Sequence, residues 1–242
     1  MSKPEDDAEY TKNTKEQYEA LGRFVEAFEA MVNEVREFSI ELLSKDGRHR
    51  DLIEIPFHHG VMTSKPLFEI MRALIIEIIN ESIKRQEREK GNVTDLDPPP
   101  VADWKGRPLV FNIRDRDTFS GVLSNIANEY FDLANSRNNL LHATWFVGFV
   151  SSEDQRASTF TARKFSLGKQ GISRVPLAKN AKELQQLTAR CDAARTWIWW
   201  LEGCLTGPDS VHSRFVNQRG EWYLVTDSGN KSTLPEKEHH EP

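Results

Sequence analysis

FSGVLSNIANEYFDLANSRNNLLH, residues 119–142, runs directly into ATWFVGFV, residues 143–150. Phe119, Val122, Leu123, Ile126, Tyr130, Leu133 and Ala134 step by three and four, which is the spacing of one helix face. The helix is expected to start at Asp117 or Thr118 and to continue into RNNLLH. The run after it is rich in β-branched and aromatic residues, so the period changes near residue 143. Arg137, Asn138, Asn139 and His142 stand at that junction. Polar groups in such a place either close a helix end or form a site. Asn commonly stops a helix, and Arg in a last turn suits the negative end of its dipole.

Three further helices flank this one. Thr14 followed by Gln17 has the form of a capping box. Tyr18, Leu21, Val25, Phe28, Val32, Val35 and Leu42 then mark an inner face, with Ser39 in the remaining slot and Gly47 as the stop. A second helix is expected from Ser64–Pro66, its broad stripe running through Leu67, Ile70, Met71, Leu74, Ile75, Ile78, Ile79 and Ile83. The last begins at Asn180 with Glu183 three residues on, and steps through Leu184, Leu187, Cys191, Ala194, Ile198, Leu201 and Leu205 to a stop at Gly207-Pro208. Four long amphipathic helices with small β insertions predict a mainly α fold, an antiparallel helical bundle. Residues 1–13 are expected to be disordered, 14–206 to form the helical domain, and 207–242 to be an extension with a short hairpin and a loose tail. Within the domain, residues 91–117 read as a long loop around DPPP and 143–177 as a β-hairpin insertion.

Composition narrows the class. The 242 residues are 29% charged and 38% hydrophobic with a net charge of -5, an ordinary balance that argues against a generally basic nucleic-acid coat. No apolar run reaches the roughly 18 residues needed to span a bilayer, and the start MSKPEDDAEY is not that of a signal peptide. Cys191 and Cys204 share one expected helix about 20 Å apart, too far to bridge, so reduced thiols and a cytoplasmic setting are expected. Trp197, Trp199 and Trp200 cannot share one stripe with Ile198 and Leu201. An indole left outside suggests a homodimer.

Other candidate sites have simpler readings. His58-His59 and His49 have no cysteine or acidic residue at a ligand spacing, and Glu238, His239, His240 and Glu241 lie in the tail. Asp115, Asp117 and Glu129 read as caps and a solvated helix face, and Cys191 as core. No metal or other cofactor is expected. There is no phosphate-binding glycine loop and no GxSxG or HExxH pattern.

The stretch RNNLLHATW resembles the signature of the HEPN superfamily: an Arg, a polar residue that is often Asn, and a His after four to six intervening positions, frequently with a Trp nearby. The likeness is residue by residue over about ten positions, and the order of helices extends it loosely over residues 14–206. It implies a helical bundle and a metal-independent endoribonuclease, in which motifs from two subunits face each other in a composite active site. It also implies the setting of a toxin or an antiviral defence effector, held in check by an antitoxin or regulatory protein. The alternative is a catalytically inactive module of the same kind that binds RNA or protein.

The chemistry fits the residue types. RNA is cut without a metal when a base takes the 2′-OH proton, the oxygen attacks the phosphate and an acid protonates the leaving 5′-oxygen. His142 suits either task. Arg137 can meet charge on the non-bridging oxygens, and Asn138 can fix the His tautomer or hold a phosphate oxygen. Asn139 and Trp145 are expected to support the site. Arg163, Lys164, Lys169 and Arg174, in or just after the insertion, either guide an RNA backbone or form a solvated strand face.

Overall fold

Helix α1 (Pro4–Leu43) begins ten residues ahead of Thr14, so most of the segment expected to be disordered is helical. Pro4 has the helical φ built in, and Glu5, Asp6 and Asp7 put negative charge at the positive end of the dipole. The computed structural model describes residues 4–43, 63–89, 110–142, 144–146, 161–168, 171–176, 180–207 and 209–235. The inner face of α1 is wider than the expected one at its C-terminal half, and it leaves out the first residue of that row. Phe24, Met31 and Phe38, spaced by sevens, are buried, whereas Tyr18 is 51% exposed. Phe28, Val32, Val35, Ser39 and Leu42 of the expected row are buried as well, so the two adjacent rows together make one broad apolar face.

Helix α2 (Ser64–Glu89) starts where expected, with Leu67 N–H donating to the Thr63 carbonyl. Helix α3 (Ile113–Leu141) begins earlier than Asp117, inside the segment read as a loop. Asn112 explains this. Its Oδ1 accepts from the amides of Arg114 (2.8 Å) and Asp115 (3.1 Å), while Asp115 Oδ2 accepts from Asn112 N–H (2.8 Å). That is a reciprocal capping box with Asp in place of Glu. Helix α4 (Ala181–Thr206) has the expected cap, Asn180 Oδ1 accepting from Glu183 N–H at 2.9 Å. The amide of Gly207 closes its last turn on the Gly203 carbonyl at 2.8 Å. Cys191 and Cys204 are both buried and form no disulfide.

The strands form two small antiparallel sheets. In the first, β1 (Thr144–Phe146) pairs with β2 (Thr161–Gly168), which pairs with β3 (Gly171–Pro176). After α4 a single turn, α5 (Val211–Arg214), leads into β4 (Phe215–Gln218), β5 (Glu221–Val225) and β6 (Lys231–Ser232). Arg219 (φ 58°) and Gly220 (φ 92°) make the two-residue left-handed turn of the β4–β5 hairpin. Each expected hairpin thus carries one more strand. GISRVP and KS are too short to show an alternating pattern. The protein is mainly α with small β insertions.

The chain divides into two compact units, one of residues 1–30 and 132–192, the other of 31–131 and 193–242. Helices α1, α3 and α4 each run from one unit into the other. In the second unit α2 and α3 are antiparallel. Tyr130 Oη donates to the Ser64 carbonyl near one end, and Ser82 Oγ accepts from the Phe111 amide near the other. The same unit holds α1 and α4 in parallel: Arg195 bonds Glu34, and seven residues on in each helix Glu202 bonds Glu41. An up-and-down antiparallel bundle would oppose these two helices. Long connections between helices permit the parallel pair here.

Candidate functional site

The last turns of α3 lie in the first unit, and Leu133, Ala134 and Leu140 bury their inner side. Arg137 is oriented by α1. Its Nη2 donates to Glu29 Oε1 at 2.9 Å, and its guanidinium carbon lies 5.8 Å from the centroid of the Phe28 ring. Its Nη1 donates to Asn138 Oδ1 at 3.3 Å. Its Nε is buried and has no hydrogen-bond partner among the described residues. A guanidinium has five N–H donors. Glu29 and Asn138 occupy two, so the fork keeps donors on its outer side. The Arg137 side chain is 29% exposed, enough for an anion to reach it.

His142 closes the helix: its backbone N–H donates to the Asn138 carbonyl at 3.1 Å. Asn138 and His142 are therefore one turn apart on one face, and both are exposed. The His142 ring has no hydrogen bond to a described residue. Arg137, five residues before it, sits about 140° round the helix. Asn138 links the two, bonded to Arg137 by its side chain and in line with His142. Asn139 is half-buried. Trp145 pairs with Ala162 in the β1–β2 ladder.

Three of the four candidate RNA-guiding cations lie on strands of the first sheet. Arg163 pairs with Thr144 and Pro176, Lys164 with Val175, and Arg174 with Phe165. Lys169 lies outside the described residues, as do His49, His58, His59, Glu238, His239, His240 and Glu241.

The acidic candidates separate. Asp115 caps α3 and takes His212 Nε2 at 3.0 Å; Asp117 is exposed. Glu129 is 4% exposed, which corrects the solvated-face reading. It follows Ile126 by three and precedes Leu133 by four, so the inner stripe carries it inward. No group of three metal-binding side chains occurs among the described residues. Glu29 was not foreseen, because nothing near it in sequence signals a partner 108 residues away.

No family model matches the chain, and neither does any curated protein or solved structure.

Proposed function

We propose that the chain is a metal-independent endoribonuclease of the HEPN kind, with Arg137, Asn138 and His142 at its reacting centre. The observation that carries this reading is the His142 ring, exposed and in line with Asn138, whose amide oxygen accepts from a guanidinium braced by Glu29. An imidazole nitrogen takes the ribose 2′-OH proton, and the 2′-oxygen forms a bond to phosphorus. The bond from phosphorus to the 5′-oxygen breaks, and a second acid protonates that oxygen. The products are a 2′,3′-cyclic phosphate and a 5′-OH end. Arg137 stabilises charge on the non-bridging oxygens. One chain brings one such His, so a second copy supplies the acid in a composite site. A ribonuclease of this kind in the cytoplasm acts as a toxin or defence effector and requires a restraining partner.

Wild type, Arg137→Ala and His142→Ala are compared, each shown to be folded, on mixed cellular RNA in EDTA. Cleavage by wild type alone, leaving cyclic phosphate ends, supports the reading; equal cleavage by all three overturns it. A folded monomeric variant that cuts as fast as wild type removes the composite site.

One observation favours a second reading, a non-cleaving RNA- or protein-binding module. Glu29 already neutralises one edge of Arg137, as a purely structural clamp between α1 and α3 would. Under that reading Arg137→Ala and His142→Ala change binding or stability, and wild type cuts no RNA.

A further inference from the structure

Trp199 is the largest apolar side chain left exposed among the described residues, at 54%. It is held in place. Its ring meets Trp200 edge-on with centroids 4.8 Å apart, and the Arg214 guanidinium carbon lies 4.1 Å from the Trp200 centroid. Arg214 is in turn fixed by Asp209 at 2.9 Å and Asp227 at 2.6 Å. One turn after Trp199, a Cβ on Gly203 would meet nothing within 4 Å, so the space beside the indole is open. A fixed, exposed indole next to an open gap has the form of an interface anchor. The charge around it says what kind of partner fits. Trp199 stands four residues after Arg195 and three before Glu202, on one face of α4. Those two residues meet Glu34 and Glu41 of α1. Glu34, Glu37 and Glu41 step by three and four, so they share a face of α1. Four carboxylates thus stand against the guanidinium of Arg195. They hold more negative charge than they can keep ionised. Burial, then the hydrogen bond and charge of Glu41, then Glu34 and Glu37, push the Glu202 carboxyl up to about 8. Such a row is complementary to cations.

We propose that this face of α1 and α4 docks a cationic amphipathic helix of a partner protein. An apolar side chain of that helix packs on Trp199 over Gly203, and its Lys or Arg side chains lie along Glu34, Glu37, Glu41 and Glu202. Carboxylates one helical turn apart match cations one turn apart on a facing helix. A second copy of this chain suits the face less, because a two-fold contact brings the acidic row towards itself. An RNA backbone or an anionic membrane brings phosphates to carboxylates and is repelled. The proposal stands apart from the ribonuclease reading, which rests on Arg137, Asn138 and His142.

The test is calorimetric titration of the full chain with an amphipathic helical peptide built of Leu and Lys, and with its counterpart built of Leu and Glu. Saturable binding of the Leu–Lys helix is expected at a Kd on the order of 10 μM, and none of the Leu–Glu helix. Trp199→Ala should weaken binding at least about tenfold. Should that variant not fold, Gly203→Leu, which fills the open gap on the helix surface, should weaken it about as much. Glu37→Gln with Glu41→Gln should weaken it about fivefold and flatten its salt dependence. Glu16→Gln with Glu87→Gln removes the same charge from exposed positions elsewhere and should change it less than about twofold. Self-association that Trp199→Ala abolishes would assign the face to a second copy. Trp199 emission shielded from acrylamide in the dilute chain would assign it to another segment of this chain. Either result overturns the proposal. So does no saturable heat with the Leu–Lys helix, equal binding of the Leu–Glu helix, unchanged affinity in a folded Trp199→Ala or Gly203→Leu variant, or equal loss in the two charge pairs.

Discussion

A histidine stands near each end of helix α3, His212 of α5 at its start and His142 just past its finish, and the two are held differently. At its start, within the second unit, His212 is tied at both ring nitrogens: Nε2 to Asp115 at 3.0 Å and Nδ1 to Thr118 Oγ1 at 3.3 Å. Asp115 is itself half of the cap. At its finish, within the first unit, His142 belongs to the helix by its backbone, and its ring faces solvent. One imidazole is used up as a stitch between α5 and α3. The other is left available, beside an arginine whose position is set by a different helix. The contrast is thus one of surroundings: His212 is bonded within the fold at both nitrogens, and the His142 ring bonds no described residue.

Several measurements would break or sharpen that contrast. The largest effect is expected from His142→Ala, which should lower RNA cleavage at least about 100-fold, whereas His212→Ala should leave it within about twofold. The reverse order, measured on folded proteins, would end the comparison. Next in size is Gly121→Ala, which forces the Trp222 indole to move. A loss of about 1–3 kcal/mol is expected in denaturant unfolding, with the cleavage rate per folded molecule unchanged. Asn112→Ala removes the cap at the stitched end and should cost about 1 kcal/mol, read as a fall of a few degrees in Tm.

The smallest effect concerns pH. Burial, followed by the hydrogen bond and charge of Glu41, pushes the Glu202 carboxyl up from 4.5 to about 8. The folded form then holds a proton that the unfolded form releases. The stability this group contributes is full below about pH 4.5 and is lost as pH rises through about 8. Glu202→Gln should remove that decline and raise Tm at pH 8 by about 2–4 °C, with little change at pH 4.5. A thermal melt series across this range decides it.

Much of the helical scaffold is legible in the residues, because burial there follows a simple period. The starts of α2 and α4 lie at Ser64 and after Asn180, where Pro66 and the Asn180–Glu183 pair announce them. Misreadings occur where two rows adjoin or a charge sits in an apolar slot. In α1 the row of Phe24, Met31 and Phe38 has the same spacing as its neighbour and both are buried, Phe28, Val32, Val35 and Leu42 included, so reading one row leaves the other out. Residues 113–117, IRDRD, have no apolar period, so the cap at Asn112 was the one available signal for that turn. Glu129 was misassigned because its charge outweighed its place in the stripe. As to the candidate site, Arg137, Asn138 and His142 stand out as neighbours in sequence. Their positioning partner Glu29 does not, since tertiary pairing leaves no local trace.

The parallel pairing of α1 with α4 has a consequence during synthesis. Glu34 meets Arg195 across 161 positions, so this part of α1 has no partner in α4 until those positions have been made. At about 5–20 residues per second, a ribosome needs roughly 8–30 s to cover that distance. Over that interval the growing chain has a long amphipathic helix waiting for a strand of polypeptide not yet translated. Non-local docking of this kind forms late, after its local neighbours, because the long loop must close first.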